Sequence, residues 1–240
     1  MVGVKIYVAR HGQDVDNANG ILNGHRDEPL TDLGRQQAKD VARKMLNAGT
    51  TLSSSPSATA AAASTAGAAT VLNAIYSSPL RRAHETAEIF ADILSTSTAE
   101  NKVQVEIVND LIERNFGILT GQPTSSILDI CRAEDILVTE KIHYFLRPQG
   151  AETFPDLIER ANRLLFYLRK ITNTDENGAA SSILLVTHGD FGKMLYAAYY
   201  NLHWEDVLKQ FLFGNSEVLL LAKDSPPEMA HVFETCQFNS

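Results

Sequence analysis

Apolar and polar positions along this chain switch repeatedly between a period of two and a period near 3.6, which predicts strands interleaved with helices. Lys5 to Val8 reads as a first strand. Thr31 to Leu46 follows as a helix capped by Thr31 or Asp32, with Val41, Met45 and Leu46 on one stripe. Ala74 to Tyr76 predicts a second strand, and Arg81 to Leu94 a helix whose apolar face carries Ala87, Phe90, Ala91 and Leu94. Val103 to Val108 alternates and is β-branched, the mark of a strand, and Phe154 to Ile171 is a long amphipathic helix. Ile183 to Thr187 is almost continuously apolar, as a strand buried on both faces of a parallel sheet must be. A helix from about Phe191 to Tyr200 and a late strand from Glu217 to Ala222 complete the pattern. The alternation predicts an α/β fold, a three-layer α/β/α sandwich with a mostly parallel central sheet, formed as a single domain over residues 1–240.

Two stretches interrupt that rhythm. From Gly49 to Thr70 the composition collapses to Ala, Ser, Thr and Gly, with no large apolar residue between Leu52 and Val71, so 49–70 reads as a mobile, low-complexity surface insertion. Residues of about 121–154 read as a cap-like insertion where substrate specificity would reside. Trp204 and the run Phe211, Leu212, Phe213 read as core.

Composition narrows the function classes. A chain of 240 residues, 44% of them hydrophobic, buries a full core. Its net charge of -8 argues against nucleic acid or an anionic membrane as a partner. No segment approaches the roughly 20 apolar residues of a membrane span. Cys131 and Cys236 lack metal-ligand spacing, and Val2 to Val8, interrupted by Lys5, is too short for a signal core. A soluble, cytoplasmic protein is expected, with a homodimer as one possible assembly. Any phosphate it handles must meet positive charge concentrated locally.

Four places supply such chemistry. Ala9-Arg10-His11-Gly12 ends the first strand, putting a cation and an imidazole at a sheet edge where α/β folds bind ligands. Ser77-Ser78-Pro79-Leu80-Arg81-Arg82-Ala83 opens a helix, whose free N–H groups and guanidinium forks suit an anion. Alone it would read as a solvated arginine pair. Glu113 lies in a glycine-punctuated loop beside Leu111, Ile112 and Phe116, where desolvation would suit it to proton transfer; alone it would read as a surface carboxylate paired with Arg114. Val186-Thr187-His188-Gly189-Asp190 repeats the strand-then-His-Gly pattern, and both His-Gly pairs would lie at one edge of a parallel sheet. His25, His84, His143, His203 and His231 show no ligand spacing.

From about Lys5 to Leu220, apart from the 49–70 insertion, the chain resembles the histidine phosphatase (phosphoglycerate mutase-like) superfamily. The residues carrying the resemblance are Arg10-His11-Gly12-Gln13 and a Gly-x-x-Asp-x-Pro-Leu-Thr-x-x-Gly-x-x-Gln-Ala pattern over Gly24 to Ala38. The Ser-Ser-x-Leu-x-Arg-Ala-x-x-Thr-Ala signature over Ser77 to Ala87 and Gln149-Gly150-Ala151-Glu152-Thr153 add to it. The resemblance implies that His11 carries a phosphohistidine and that Arg10, Arg82 and His188 hold the phosphoryl oxygens, with Arg81 peripheral. Glu113 would act as general acid and base. Asn17 would donate to a phosphate oxygen, Asn23 and Gly24 would line the substrate side, and Gly189 would follow the second histidine into the pocket. Independently of the resemblance, Arg114, Lys141 and Arg147 are cations placed to select an anionic group at the pocket mouth. No metal or other cofactor is implied.

Two positions depart from the family pattern. Asp14 stands where a Ser or Thr is usual and Asp16 where an aromatic residue is usual. A carboxylate near a phosphate site weakens anion binding, so Asp14 is expected to point away from the phosphate or to narrow substrate choice. The leading expectation is a metal-independent phosphomonoesterase acting on a small phosphorylated metabolite. The alternatives are a cofactor-dependent phosphoglycerate mutase, which the Glu113-Arg114 run suits but the lack of an adjacent arginine pair between Gly121 and Phe154 does not, and a catalytically weak phosphate-dependent binding protein.

Overall fold

The computed structural model describes residues 4–52, 70–95, 104–172 and 181–231. In chain order the elements are β1 (Lys5–Arg10), α1 (Val15–Ala18), α2 (Asp32–Asn47), β2 (Thr50–Leu52), β3 (Thr70–Leu72), β4 (Ala74–Ser77), α3 (Arg81–Leu94) and β5 (Val105–Ile107). There follow α4 (Ile127–Ile130), β6 (Ile136–Val138), β7 (His143–Phe145), α5 (Phe154–Thr172), β8 (Ser182–Thr187), α6 (Gly189–Tyr200), α7 (Trp204–Gln210) and β9 (Val218–Leu221). The central sheet has the order β5-β4-β8-β1-β9, parallel except for β9.

Strand alternation divides the core. Ile6 and Val8 of β1, with Ile183 and Leu185 of β8, pack on one face against Leu157, Leu164 and Leu168 of α5 and Phe191 and Met194 of α6. Tyr7, Ala9, Leu184 and Val186 point the other way, onto Val41 and Met45 of α2 and Phe90 and Leu94 of α3. The period of two sends successive side chains to opposite layers, which is why β8 is buried along its whole length and the fold is the three-layer α/β sandwich the pattern predicts.

The boundaries shift in instructive ways. Helix α2 starts at Asp32 because the Thr31 hydroxyl caps the Gly34 N–H at 3.0 Å. Strand β5 is shorter than the alternating run from Val103, and Val103 itself lies outside the described residues. Helix α6 begins at Gly189 rather than Phe191. The expected insertion at 49–70 is narrower than its composition implies: Thr50–Leu52 and Thr70–Leu72 pair as parallel strands, and Leu52 and Leu72 are fully buried. Residues 53–69, where the rest of that insertion falls, lie outside the described set. The 121–154 stretch holds short turns of helix and the antiparallel β6–β7 hairpin. Trp204 stacks on Phe154, and Phe211 and Phe213 are buried as expected, whereas Leu212 between them is only half-buried. Among the described residues no helix is long and apolar enough to cross a membrane.

Candidate active site

Parallel strands deliver their C-terminal residues to one edge. Register pairs Arg10 with Thr187 and Ser77 with Val186, and the pattern runs one residue further: the His11 N–H donates to the Thr187 carbonyl and the Ser78 N–H to the Val186 carbonyl, both at 3.0 Å. His11, Ser78 and His188 therefore emerge side by side from β1, β4 and β8. The two imidazoles are almost completely buried, their ring centres 5.0 Å apart and tilted by 59°.

His11 is prepared for one role. Its Nδ1 lies 2.6 Å from the Gly12 carbonyl oxygen, which can only accept, so Nδ1 carries the proton and Nε2 keeps the lone pair. Burial holds the His11 pKa well below its ordinary value, and the neighbouring Arg82 and Arg10 push it further the same way. The backbone is locked around it. The His11 carbonyl accepts from the Asn215 side chain and the Ser216 N–H, both at 3.1 Å, and the Gly12 N–H donates to the Thr86 hydroxyl at 3.1 Å. Gly12 and Gly34 pass against each other so closely that a Cβ on Gly12 would collide with the Gly34 carbonyl and one on Gly34 with the Gln13 carbonyl. This lets the first turn of α2 press directly on the loop carrying His11.

Two arginines converge on the same place. Arg10 donates through Nη1 to the Phe213 carbonyl at 2.6 Å and lies along Gly189, where an added Cβ would come within 3.4 Å of its guanidinium carbon. Arg82 is fully buried and donates to the Arg26 carbonyl at 2.6 Å and the Gly24 carbonyl at 2.8 Å. Its Nε faces Asp14 Oδ2 at 3.2 Å. Burial lowers the pKa of Arg82, opposed by Asp14 and Glu113. The exposed Arg81, by contrast, pairs with Glu85 at 2.6 Å.

Asp14 is fully buried inside this cluster. One oxygen caps α1 by accepting from the Asn17 N–H at 2.7 Å, a task at which Asp and Ser or Thr are interchangeable. The other accepts from the Asn23 amide at 2.7 Å and pairs with Arg82, contacts that place its charge 3.9 Å from His11 Nδ1. Burial raises the Asp14 pKa, and Arg82 pulls against that rise. Asp16 turns elsewhere, to Arg26 at 2.7 Å.

Glu113 closes the cluster from the side of α6. One of its oxygens accepts from the Arg114 and Phe191 N–H groups at 2.8 and 3.1 Å, the other from the Asp190 N–H at 3.3 Å, so the carboxylate sits on the positive end of that helix. Arg160 of α5 holds the loop from beneath, donating to the carbonyls of Asp110 and Ile112 at 2.8 and 2.6 Å while gripping Glu152 with two nitrogens at 2.9 and 2.8 Å.

The structure brings His11, Arg10, Arg82, His188 and Glu113 together at this edge. It redirects several other expected residues. Arg114 is not at a pocket mouth: it is fully buried, its guanidinium 4.2 Å from the ring centres of both Phe145 and Phe154, and paired with Asp190 at 3.1 Å. An aromatic box and an internal carboxylate draw it inward. Arg147 pairs with Asp135 at 3.0 Å, and Arg132 engages the same carboxylate at 2.6 Å. Asn23 faces Asp14, Gly24 serves Arg82 through its carbonyl, and Asn17 accepts from Asn215 at 3.2 Å. Thr86, Arg160 and Asn215 escaped the sequence reading. Thr86 stands inside the Ser77–Ala87 signature and Glu152, the partner of Arg160, inside the Gln149–Thr153 element, so both carried a signal. Asn215 carried none. Among the described residues no group of three or more His, Cys, Asp or Glu side chains is arranged to hold a metal ion.

This arrangement gathers two buried imidazoles, two arginines and a carboxylate at one edge of an α/β sheet, and comparison with known proteins gives the family. The model of the histidine phosphatase superfamily, branch 1, matches residues 6–70 and 47–225, and the chain belongs to that superfamily. It is 28% identical over 195 residues to phosphoglycerate mutase-like protein 4 of Arabidopsis thaliana, covering 80% of this chain and 69% of that one. It is 25% identical over 207 residues to the 2,3-bisphosphoglycerate-dependent phosphoglycerate mutase of Bradyrhizobium diazoefficiens, covering 86% of each. In fold it is similar to a mycobacterial glucosyl-3-phosphoglycerate phosphatase solved with VO3, with a TM-score of 0.66 at 22% identity over 91% of this chain and 92% of that one.

Proposed function

We propose that the protein is a phosphomonoesterase that hydrolyses a small phosphorylated metabolite through a phosphohistidine on His11. The observation that carries this reading is the state of His11: Nδ1–H is committed to the Gly12 carbonyl, Nε2 keeps its lone pair, and two arginines flank a ring whose protonation burial opposes. Nε2 attacks phosphorus, the ester P–O bond breaks, and Glu113 hands a proton to the leaving alkoxide. Water then attacks the phosphohistidine, Glu113 takes a proton from it, and the P–N bond breaks to return neutral His11 and inorganic phosphate. Arg10, Arg82 and His188 stabilise the charge on the transferring group, so the reaction needs no metal.

The name of the similar Bradyrhizobium protein raises a mutase reading. A mutase must hold a carboxylated substrate with spare cations. Here Arg114 is enclosed by aromatic rings, and Arg132 and Arg147 are both engaged by Asp135, which favours hydrolysis. The test is a panel of sugar phosphates, phosphoglycerates and nucleotide monophosphates, scored for inorganic phosphate. Phosphate release without interconversion of 3-phosphoglycerate supports the phosphatase. Interconversion without release identifies a mutase, and binding with neither identifies a binding protein.

A further inference from the structure

Ser78 has no part in the chemistry described so far, yet its hydroxyl lies 2.7 Å from His188 Nε2, both residues being fully buried. That oxygen already accepts from the Leu80 N–H at 3.2 Å. Its own proton therefore needs an acceptor, since an unused buried hydroxyl proton is costly. Among the described residues the only acceptor within reach is Nε2 of His188. On the far side of the same ring, Nδ1 is buried and has no partner among the described residues. The His11 ring lies beside it, and burial, with the charges of Arg82, Arg10 and Arg160, holds the His188 pKa well below the ordinary value. A neutral imidazole carries one proton, and which nitrogen carries it is decided by the hydrogen bond the other nitrogen makes.

We propose that Ser78 is a positioning residue that fixes the tautomer of His188: the hydroxyl donates to Nε2, so Nδ1 carries the proton and offers an otherwise unused N–H to a phosphoryl oxygen. The opposite tautomer would turn a lone pair toward the anion and leave the serine proton stranded. The β4 and β8 register makes the arrangement possible, because the Ser78 N–H continues that ladder onto the Val186 carbonyl at 3.0 Å, two residues before His188. The catalytic consequence rests on the phosphatase reading; the tautomer does not.

The test is long-range 1H–15N correlation spectroscopy on histidine-labelled protein near neutral pH, read at His188. The expected result is a protonated Nδ1 and an unprotonated Nε2 in the wild type, a shift toward protonated Nε2 in Ser78→Ala, and the original pattern in Ser78→Thr. Turnover of Ser78→Ala should fall on the order of tenfold with KM little changed, a fraction of the loss from removing an oxyanion donor outright, and Ser78→Thr should restore it. A protonated Nε2 in the wild type overturns the proposal, and this needs no variant to fold. An unmoved tautomer in folded Ser78→Ala overturns it too. The expected tautomer in a protein that hydrolyses no phosphomonoester supports the role of Ser78 while removing the phosphatase reading.

Discussion

The two sides of the site are held by different means. On the imidazole side, His11, Ser78 and His188 are placed by strand register and by single hydrogen bonds to carbonyls or a hydroxyl, and burial holds both imidazole pKa values well below the ordinary value. On the carboxylate side, Glu113 is placed by a lattice of polar contacts: three backbone N–H groups grip it, Arg160 ties its loop to Glu152, and Arg114, Asp190 and Lys193 form a buried chain beside it. The difference follows from chain geometry. Strand ends are rigid enough to aim a ring with one bond, whereas a loop carboxylate has no ladder behind it and needs many partners to stay in one place.

Breaking each side should give different signatures. The largest effect is expected from Glu113→Gln, with turnover of alkyl phosphates falling roughly 10^3-fold and a much smaller loss in the burst of p-nitrophenol from p-nitrophenyl phosphate, whose leaving group needs no proton. Equal losses on both substrates would mean that Glu113 is not the acid. Next comes Arg82→Gln, with a loss of roughly 10^2-fold. Arg82 is the larger of the two electrostatic influences lowering the His11 pKa, so the acid limb of the kcat/KM profile should move up in this variant. In the wild type that limb should lie well below pH 6.5, because His11 must be neutral to attack and its pKa is depressed. An acid limb unmoved by Arg82→Gln would contradict the charge coupling.

Sequence legibility divides along the same line. The strand-terminal histidines and Arg82 were readable because a parallel sheet converts a motif at each strand end into a shared edge. The hold of Arg160 on the Glu113 loop was less readable, since Arg160 reaches that loop from α5, 47 residues away along the chain, and its one mark in the sequence is its partner Glu152 in the Gln149–Thr153 element. Arg114 was misplaced because its aromatic box assembles from Phe116, Phe145 and Phe154, which no periodicity links. The 49–70 insertion hid two short strands because alanine-rich composition says nothing about the pairing of its flanks.

Smaller effects sharpen the contrast. Gly34→Ala should cost roughly 3 kcal/mol of stability by chemical denaturation, because its Cβ meets backbone rather than a movable side chain. Asp14→Asn removes the charge beside Arg82 while keeping a cap oxygen, so inorganic phosphate should bind roughly tenfold more tightly in competition assays. Unchanged inhibition would mean that Asp14 serves only as a cap and leaves substrate choice untouched.

The most direct measurement is acid-sensitive phosphoryl trapping. The protein is mixed briefly with a turned-over phosphomonoester, denatured under conditions that preserve phosphohistidine, digested and mapped by mass spectrometry. The account predicts one phosphoryl group on the peptide containing His11, absent from His11→Asn and accumulating in Glu113→Gln when p-nitrophenyl phosphate is the donor, because its leaving group needs no proton while the water that would remove the phosphoryl group lacks its base. Full turnover by the wild type with no label on His11, or a label surviving in His11→Asn, would contradict it.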